Sequence, residues 1–378
     1  MNKENLEIYV HIPFCIRKCG YCDFLSFSSG EASQKEYVKA LMEEIDGVEG
    51  VEDYQVISVF FGGGTPSILE AEDLTSILDK IKSKISFASD AEISLEANPG
   101  TVTAKKLELY RKAGFNRISF GCQSMDDKEL VQLGRIHTVE EFLEGYHQAR
   151  ESGFSNINVD LMSGLPGQNY EDWERNLRMT AELKPEHISA YSLILEEGTS
   201  FYQNQDLLDL PDEETERLMY EKTHEVLEEY GYEQYEISNY AKKGYECRHN
   251  IGYWKRVPYL GLGLGSASLM EECRFSNTTD WKEYLEHSKN PRIIRKDMQE
   301  LTVEDAMEEF MILGLRMCHG VSEEEFRQRF GRELSEVYGG VIDKYSKLGF
   351  MQKKEGNISF TRAGISVSNT ILTDFLRD

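Results

Sequence analysis

The chain has 378 residues, of which 40% are hydrophobic, and its formal net charge is −25. This length suits one large domain and a smaller one, and the sequence contains no apolar run long enough to span a membrane. The negative charge disfavours nucleic acid and acidic membranes as partners. Because the start lacks the apolar core of a signal peptide, we expect a cytoplasmic protein with reduced thiols.

Short β-rich runs alternate with helical patterns through the first part of the chain. The predicted strands are Ile8–Ile12, Val56–Phe61, Ile93–Ala97, Arg117–Cys122, Ile157–Met162 and His187–Leu193. Capping boxes at Ser33–Glu36 and Thr138–Glu141 predict the starts of two helices. Six strand–helix units predict an α/β fold, a partial TIM-like (β/α)6 barrel over residues 1–235. Such a barrel collects its active site at the carboxyl ends of the strands.

The later part of the chain has a different pattern. Residues 236–300 are expected to connect two domains, with one extra strand over Tyr232–Tyr240 at the boundary. Residues 301–378 show three helical patterns and a hairpin around Glu355–Asn357, which predicts a small winged-helix-like α+β domain. The acidic balance favours a lid or docking role for this domain over DNA binding.

Three cysteines follow the first predicted strand closely. Cys15, Cys19 and Cys22 lie within eight residues, and the next cysteine is Cys122. Three thiolates can hold three irons of a [4Fe–4S] cubane and leave the fourth iron open. Structural zinc usually takes four ligands in two pairs, so zinc or three unrelated thiols are the weaker alternatives.

This stretch, with Tyr21 before the third cysteine, resembles the CxxxCxΦC signature of the radical S-adenosylmethionine (SAM) superfamily. The sequence from Tyr9 to Cys15 is similar to that of the branch that contains oxygen-independent coproporphyrinogen III oxidase and the HemW-like heme chaperones. The resemblance implies the same barrel, a [4Fe–4S] cluster, SAM bound at its open iron, and an electron donor for the cluster. A cluster of this kind supplies one-electron chemistry on the SAM sulfonium.

The resemblance also implies which residues hold SAM. Gly63, Gly64 and Thr65 match the segment that holds its ammonium, although a tight turn would look the same. Four polar residues at successive strand ends fit the other needs of SAM, with Glu96 for the ammonium, Arg135 for the carboxylate, and Gln123 and Asp160 for the ribose hydroxyls. Tyr9 and Tyr21 would pack on adenine or shield the cluster, or else belong to the core.

Two features of the sequence distinguish the HemW-like proteins of this branch from the oxidase. Phe24 stands where the oxidase carries a further cysteine, and His249–Trp254 matches the HNxxYW motif of HemW-like proteins. The motif implies heme binding by His249, Tyr253 and Trp254, with Cys247 as a second candidate iron ligand. Arg248, Lys255 and Arg256 would pair with the heme propionates. The structural alternative is a hydrogen-bonded histidine in the barrel wall.

The sequence therefore predicts a heme chaperone that binds the cluster, SAM and heme and passes heme to an acceptor protein it does not name. The alternatives are a radical SAM decarboxylase of coproporphyrinogen III propionates, and a radical SAM enzyme for another small molecule. The sequence leaves open whether the chain forms a homodimer.

Overall fold

The computed structural model describes residues 3–376. Within them, one large sheet runs in the order β12-β11-β10-β9-β1-β2-β3-β4-β5-β6-β8-β7. Its strands are β1 Glu4–Ile12, β2 Tyr54–Gly63, β3 Ser86–Ala97, β4 Arg117–Gln123, β5 Ile157–Ser163, β6 His187–Ser192, β7 Glu233–Gln234, β8 Asn239–Ala241, β9 Tyr259–Leu262, β10 Ala267–Met270, β11 Cys273–Asn277 and β12 Arg295–Glu300.

Strands β1 to β6 are parallel and follow one another in chain order, as the strand–helix alternation predicted. The β9 strand adds a parallel neighbour to β1 on its other side, and antiparallel strands extend both edges. The helices of this part are α1 Glu31–Gly47, α2 Ala71–Lys84, α3 Ala104–Ala113, α4 Asp127–Gln132, α5 Val139–Glu151, α6 Tyr170–Glu182, α7 Ser200–Gln203, α8 Glu213–Glu229, α9 Arg248–Trp254, α10 Trp281–His287 and α11 Pro291–Ile294.

Period-two alternation along the parallel strands decides what faces the barrel interior. In β1, Leu6, Ile8 and Val10 are fully buried in the apolar core, whereas Tyr9 lines the interior cavity and Glu7 bonds to a β2 side chain. Because successive side chains of a strand point to opposite faces, one face packs on helices and the other lines the lumen. The face of β1 that carries Glu7 and Tyr9 therefore points to the lumen.

Two local predictions were wrong. Helix α1 begins at Glu31 after the extended residue Gly30, so Ser33 lies inside the helix and makes no cap bond. The helix-favouring residues before Ser33 extend the helix one turn upstream of the apparent box. The predicted strand Tyr232–Tyr240 is split into β7 and β8, which pair antiparallel with each other. By contrast, Thr138 caps α5 in a complete capping box.

The C-terminal part has its own apolar core, which includes Met307, Phe326, Tyr338 and Phe375. The three predicted helices and the hairpin are present, and a short strand pairs with the hairpin. The elements are α12 Val303–Gly314, β13 Val321–Ser322, α13 Glu323–Phe330, α14 Leu334–Lys347, β14 Met351–Lys354, β15 Asn357–Phe360, α15 Arg362–Ile365 and α16 Ser368–Thr373. No helix within residues 3–376 has the length and apolar character needed to cross a membrane.

Candidate cofactor and ligand cavity

A cavity of about 540 Å³ opens along the lumen of the barrel. This volume lies within the range of small-molecule and cofactor sites. Most of the residues predicted from the sequence line it together: Tyr9, Cys15, Cys19, Tyr21, Cys22, Gly63, Gly64, Thr65, Glu96, Gln123, Arg135, Asp160, His249 and Tyr253. Residues far apart in the sequence thus meet in one site.

The loop after β1 carries the three cysteines, all free and half-buried. The Cys15 amide donates to the Phe27 carbonyl at 3.1 Å, which closes the loop at its base. The Cys15 Sγ lies 3.5 Å from the Thr65 hydroxyl, and Arg135 Nη1 lies 3.7 Å from the Cys19 Sγ. Two of the thiols are therefore contacted by side chains on the segments that follow β2 and α4.

The donor set fits a thiolate-bound cluster. Burial raises the pKa of the Cys22 thiol, and a bound iron would favour its thiolate form. Among residues 3–376, no three His, Cys, Asp or Glu side chains lie close enough to hold a single metal ion. A cubane does not require this, because each thiolate binds a different iron.

The glycines after β2 are required by packing of the chain itself. Gly63 has a φ of +109°, and a Cβ there would lie 2.4 Å from His11 Cε1. A Cβ on Gly64 would lie 2.6 Å from the Phe14 carbonyl oxygen. These glycines let the end of β2 pack against the end of β1, next to the cysteine loop. Their predicted contact with the SAM ammonium remains a prediction.

The Glu96 carboxyl at the end of β3 suits a cationic ligand. Its Oε2 accepts a hydrogen bond from the Gly63 amide at 3.3 Å. Burial, reinforced by the nearby charge of Asp160, raises the pKa of Glu96 to about 8. A bound ammonium would favour the carboxylate form again, which is the role that the sequence predicted for Glu96.

Gln123 and Arg135 already bond to the protein. Gln123 has a φ of +70°, and its Oε1 accepts a hydrogen bond from the Tyr191 hydroxyl at 2.8 Å. Arg135 Nη2 donates to Asn98 Oδ1 at 2.8 Å and to the Gly121 carbonyl, while its buried Nε lacks a partner among the described residues. Arg135 thus keeps an unsatisfied donor beside the thiols, which fits an anionic group there.

The two tyrosines pack on the chain as well as lining the cavity. The Tyr9 ring stacks near Phe60 and His249, each at 6.5 Å between ring centroids. Tyr21 meets Phe201 edge-on at 6.3 Å. Their predicted contacts with adenine or the cluster remain predictions.

His249 stands in a chain of hydrogen bonds below the cysteine loop. Its Nδ1 lies 2.8 Å from the Ser58 hydroxyl, which donates to Glu7 Oε1 at 3.0 Å. With the Ser58 proton donated to Glu7, the imidazole proton would lie on Nδ1, and Nε2, 3.1 Å from the Tyr253 hydroxyl, would accept from it. Burial lowers the pKa of His249 to about 3. The imidazole is therefore neutral, and in this arrangement the nitrogen that would bind iron is unprotonated and is covered by Tyr253.

Other residues of the motif face away from the cavity. The fully buried Cys247 Sγ lies 3.5 Å from Glu92 Oε1, and the Trp254 ring lies under the Arg316 guanidinium at 4.9 Å. Neither Cys247 nor Trp254 lines the cavity. Gly252 has a packing role, since a Cβ there would lie 1.9 Å from a carboxyl oxygen of Glu7.

Two of the three basic residues predicted to pair with propionates, Arg248 and Arg256, form ion pairs with carboxylates of the protein. Arg248 pairs with Asp90 at 2.9 Å. Arg256 is buried and pairs with Glu272 and Glu309, each at 2.6 Å. A propionate would have to displace these carboxylates to reach Arg248 or Arg256, most of all at the buried Arg256. The predicted contact of Lys255 remains a prediction.

Sequence reasoning missed three residues that shape the cavity. His11 Nε2 lies 2.8 Å from the Leu25 carbonyl and so fixes the cysteine loop. Asn98 donates to Thr65 and accepts from Arg135. Arg117 lines the cavity floor. For His11 and Arg117 a signal existed, because both occupy lumen-facing positions of the period-two alternation in their strands.

A thiol loop and polar strand ends around the mouth of a parallel (β/α)6 sheet define a radical SAM protein. The sequence matches the model of the radical SAM superfamily over residues 9–180 and that of the HemN C-terminal domain over residues 301–367. This family confirms the predicted class and implies a [4Fe–4S] cluster and SAM.

Curated relatives match the chain over its length. A protein of Bacillus subtilis named heme chaperone HemW is 37% identical over 97% of this chain and 98% of that protein. One of Lactococcus lactis with the same name is 33% identical over 100% of this chain and 99% of that protein. The chain therefore belongs to the family of the proteins named heme chaperone HemW.

Among solved structures, coproporphyrinogen III oxidase (HemN) from Escherichia coli, described as a radical SAM enzyme, shares the fold. Its TM-score is 0.85 at 23% identity, over 99% of this chain and 91% of that chain. This likeness confirms the α/β fold with a C-terminal domain.

Proposed function

We propose that the protein is a heme chaperone, which binds heme in the lumen cavity and passes it to an acceptor protein in the cytoplasm. One observation carries the proposal: the cysteine loop and the His249–Tyr253 part of the motif line the same cavity. The names of the full-length relatives support it. Cys15, Cys19 and Cys22 would hold the cluster, which supplies one-electron chemistry to SAM when both are bound.

The cavity mouth has the apolar surface that a porphyrin face requires. Ile16, Phe24 and Ile136 line the cavity while remaining 54%, 63% and 49% exposed. A group of exposed apolar side chains around a cavity typically marks a site where a ligand or a partner binds. Phe24 belongs to this rim, at the position where the oxidase branch would carry a further cysteine.

His249 is the proposed axial ligand of the heme iron, and the Tyr253 hydroxyl occupies its Nε2 in the structure. The Tyr253 hydroxyl must leave Nε2 before iron can bind there. Removing this hydroxyl in Tyr253→Phe should therefore strengthen heme binding by about 2- to 10-fold, the value of one ordinary hydrogen bond. His249→Ala should weaken heme binding and change the position of the Soret band.

An anaerobic heme titration, followed at the Soret band, tests the proposal. Wild type should bind heme, and the loaded protein should pass it to apomyoglobin, which serves as a generic acceptor. Cys273→Ser is the matched control, since Cys273 on β11 lies outside the cavity and its loss should leave the spectrum unchanged. An absent Soret shift in wild type, or an unchanged shift in His249→Ala, would contradict the heme site.

A parallel reaction tests the decarboxylase alternative. Coproporphyrinogen III, SAM and a reductant are offered to the reconstituted protein under the same anaerobic conditions. We expect no protoporphyrinogen, and catalytic formation of that product would overturn the chaperone assignment.

A further inference from the structure

A cation with no hydrogen bond or ion pair to the described residues 3–376 lies at the floor of the cavity. Arg117 begins β4 and is 2% exposed, yet it lines the same cavity as the cysteines. Within residues 3–376 its Nε has no hydrogen-bond partner, and the charges that act on its guanidinium do so without an ion pair. A buried guanidinium with unfilled donors is costly, so such groups are normally satisfied by a partner.

The acidic groups nearest Arg117 are committed to other donors. Glu92 Oε1 lies 3.5 Å from the Cys247 Sγ, and Asp160 Oδ1 accepts from Asn158 Nδ2 at 2.7 Å. These carboxylates offset the charge of Arg117 through space. They leave its fork of N–H donors open, and a planar carboxylate matches that fork in shape and charge.

The imidazoles around Arg117 are neutral. His187 lies between Asn158 and Tyr235, at 2.6 and 2.8 Å from its two ring nitrogens. Burial, together with the charge of Arg117, lowers the pKa of both His187 and His249. The guanidinium is therefore the source of positive charge among these groups.

The position of Arg117 separates it from the cysteine end of the cavity, although Asp160, which is predicted to hold the SAM ribose, acts on its charge. Arg117 and Gln123 are the first and last residues of β4, and a strand rises about 3.3 Å per residue, so they lie on the order of 20 Å apart. The carboxylate of SAM is expected at Arg135, which lies beside Cys19 at the cysteine end. A carboxylate held there would not also reach Arg117, so an anion bound at Arg117 would belong to a different ligand.

We propose that Arg117 binds a carboxylate of the ligand that enters the lumen, and that this carboxylate is a tetrapyrrole propionate. The identification of the propionate rests on the proposed heme function. Arg117 replaces Arg248 and Arg256, which are already ion-paired, as the propionate partner. Apolar groups at the mouth and a cation at the floor would then hold opposite ends of one amphipathic ligand.

Titration with heme and with heme dimethyl ester tests the contact. Wild type should bind heme about 10- to 100-fold more tightly than the ester, which is the usual value of a charged hydrogen-bonded pair. Arg117→Gln should lose this preference while binding the ester as wild type does, and Arg117→Lys should recover part of it. Arg150→Gln, which removes a guanidinium paired with Glu186 outside the cavity, should keep the full preference.

Equal loss of heme and ester binding in Arg117→Gln would assign it a structural role and overturn the proposal, as would no loss of either. Should Arg117→Gln not fold, Arg117→Lys decides the question: a reduced preference for heme over the ester supports the contact, and an unchanged wild-type preference contradicts it. If wild type binds neither compound, the heme function fails. The carboxylate site at Arg117 is then tested without heme, by comparing thermal unfolding in sodium propionate with thermal unfolding in propionamide at matched ionic strength. Stabilisation by propionate in wild type but not in Arg117→Gln supports a carboxylate site, and equal behaviour means that water alone fills it.

Discussion

Replacing Gly63 with alanine should damage the cavity at the junction of β1 and β2. The backbone there has a φ of +109°, and the added Cβ would lie 2.4 Å from His11 Cε1 and 2.5 Å from its Nδ1. A non-glycine residue in left-handed backbone costs about 1–2 kcal/mol, and forcing an atom into filled space typically costs about 1–3 kcal/mol more. We therefore expect Gly63→Ala to lower the free energy of unfolding by about 2–5 kcal/mol.

A second glycine separates the two contributions. Gly198 has a φ of +90°, and nothing lies within 4 Å of a Cβ placed there. Gly198→Ala should therefore lose only the backbone part, about 1–2 kcal/mol. Urea denaturation of both variants measures the difference, which isolates the overlap with His11. Equal losses in the two variants would refute the contact with His11.

The same substitution should affect the thiol loop. His11 lies 2.8 Å from the Leu25 carbonyl, so a displaced imidazole releases the segment that follows Cys22. Gly63→Ala should therefore retain less iron than Gly198→Ala after anaerobic reconstitution, measured in conditions where both are folded. Equal iron contents would show that His11 does not position the loop.

Three further predictions concern single side chains. Cys22→Ala should reduce iron bound on reconstitution to background, whereas Cys273→Ala, half-buried on β11, should bind as wild type does. Glu44→Gln should cost about 1–3 kcal/mol in urea denaturation, because this carboxyl accepts from a backbone amide, an asparagine and a tyrosine. Burial raises the pKa of Glu44 from 4.5 to about 7. The folded state therefore binds more protons than the unfolded state across that range, so stability falls as pH rises from 4.5 to 7, a slope absent from Glu44→Gln. Thr138→Ala should cost about 1 kcal/mol through loss of the α5 cap, while Ser33→Ala should cost nothing measurable because Ser33 lies inside α1.

The parallel strands were predictable because apolar residues in their sequences alternate with polar ones or run continuously over short segments. The start of β4 at Arg117 and of β5 at Ile157 agrees with the prediction. Helix starts were less secure, since a local capping pattern competes with the helix propensity of the residues before it. Thr138 caps its helix and Ser33 does not, although both carry the same pattern.

The thiol end of the cavity was visible in the sequence because its cysteines are neighbours in one loop, whereas the floor was not. Ser58 and His249, which share a hydrogen bond, are separated by 191 positions, and no local pattern reports such a pair. The charge of Arg117 likewise has meaning only once Glu92 and Asp160 are seen to bond elsewhere. Recognition of the cofactor end therefore follows from spacing, while recognition of the ligand end requires knowing which polar groups the fold leaves unpaired.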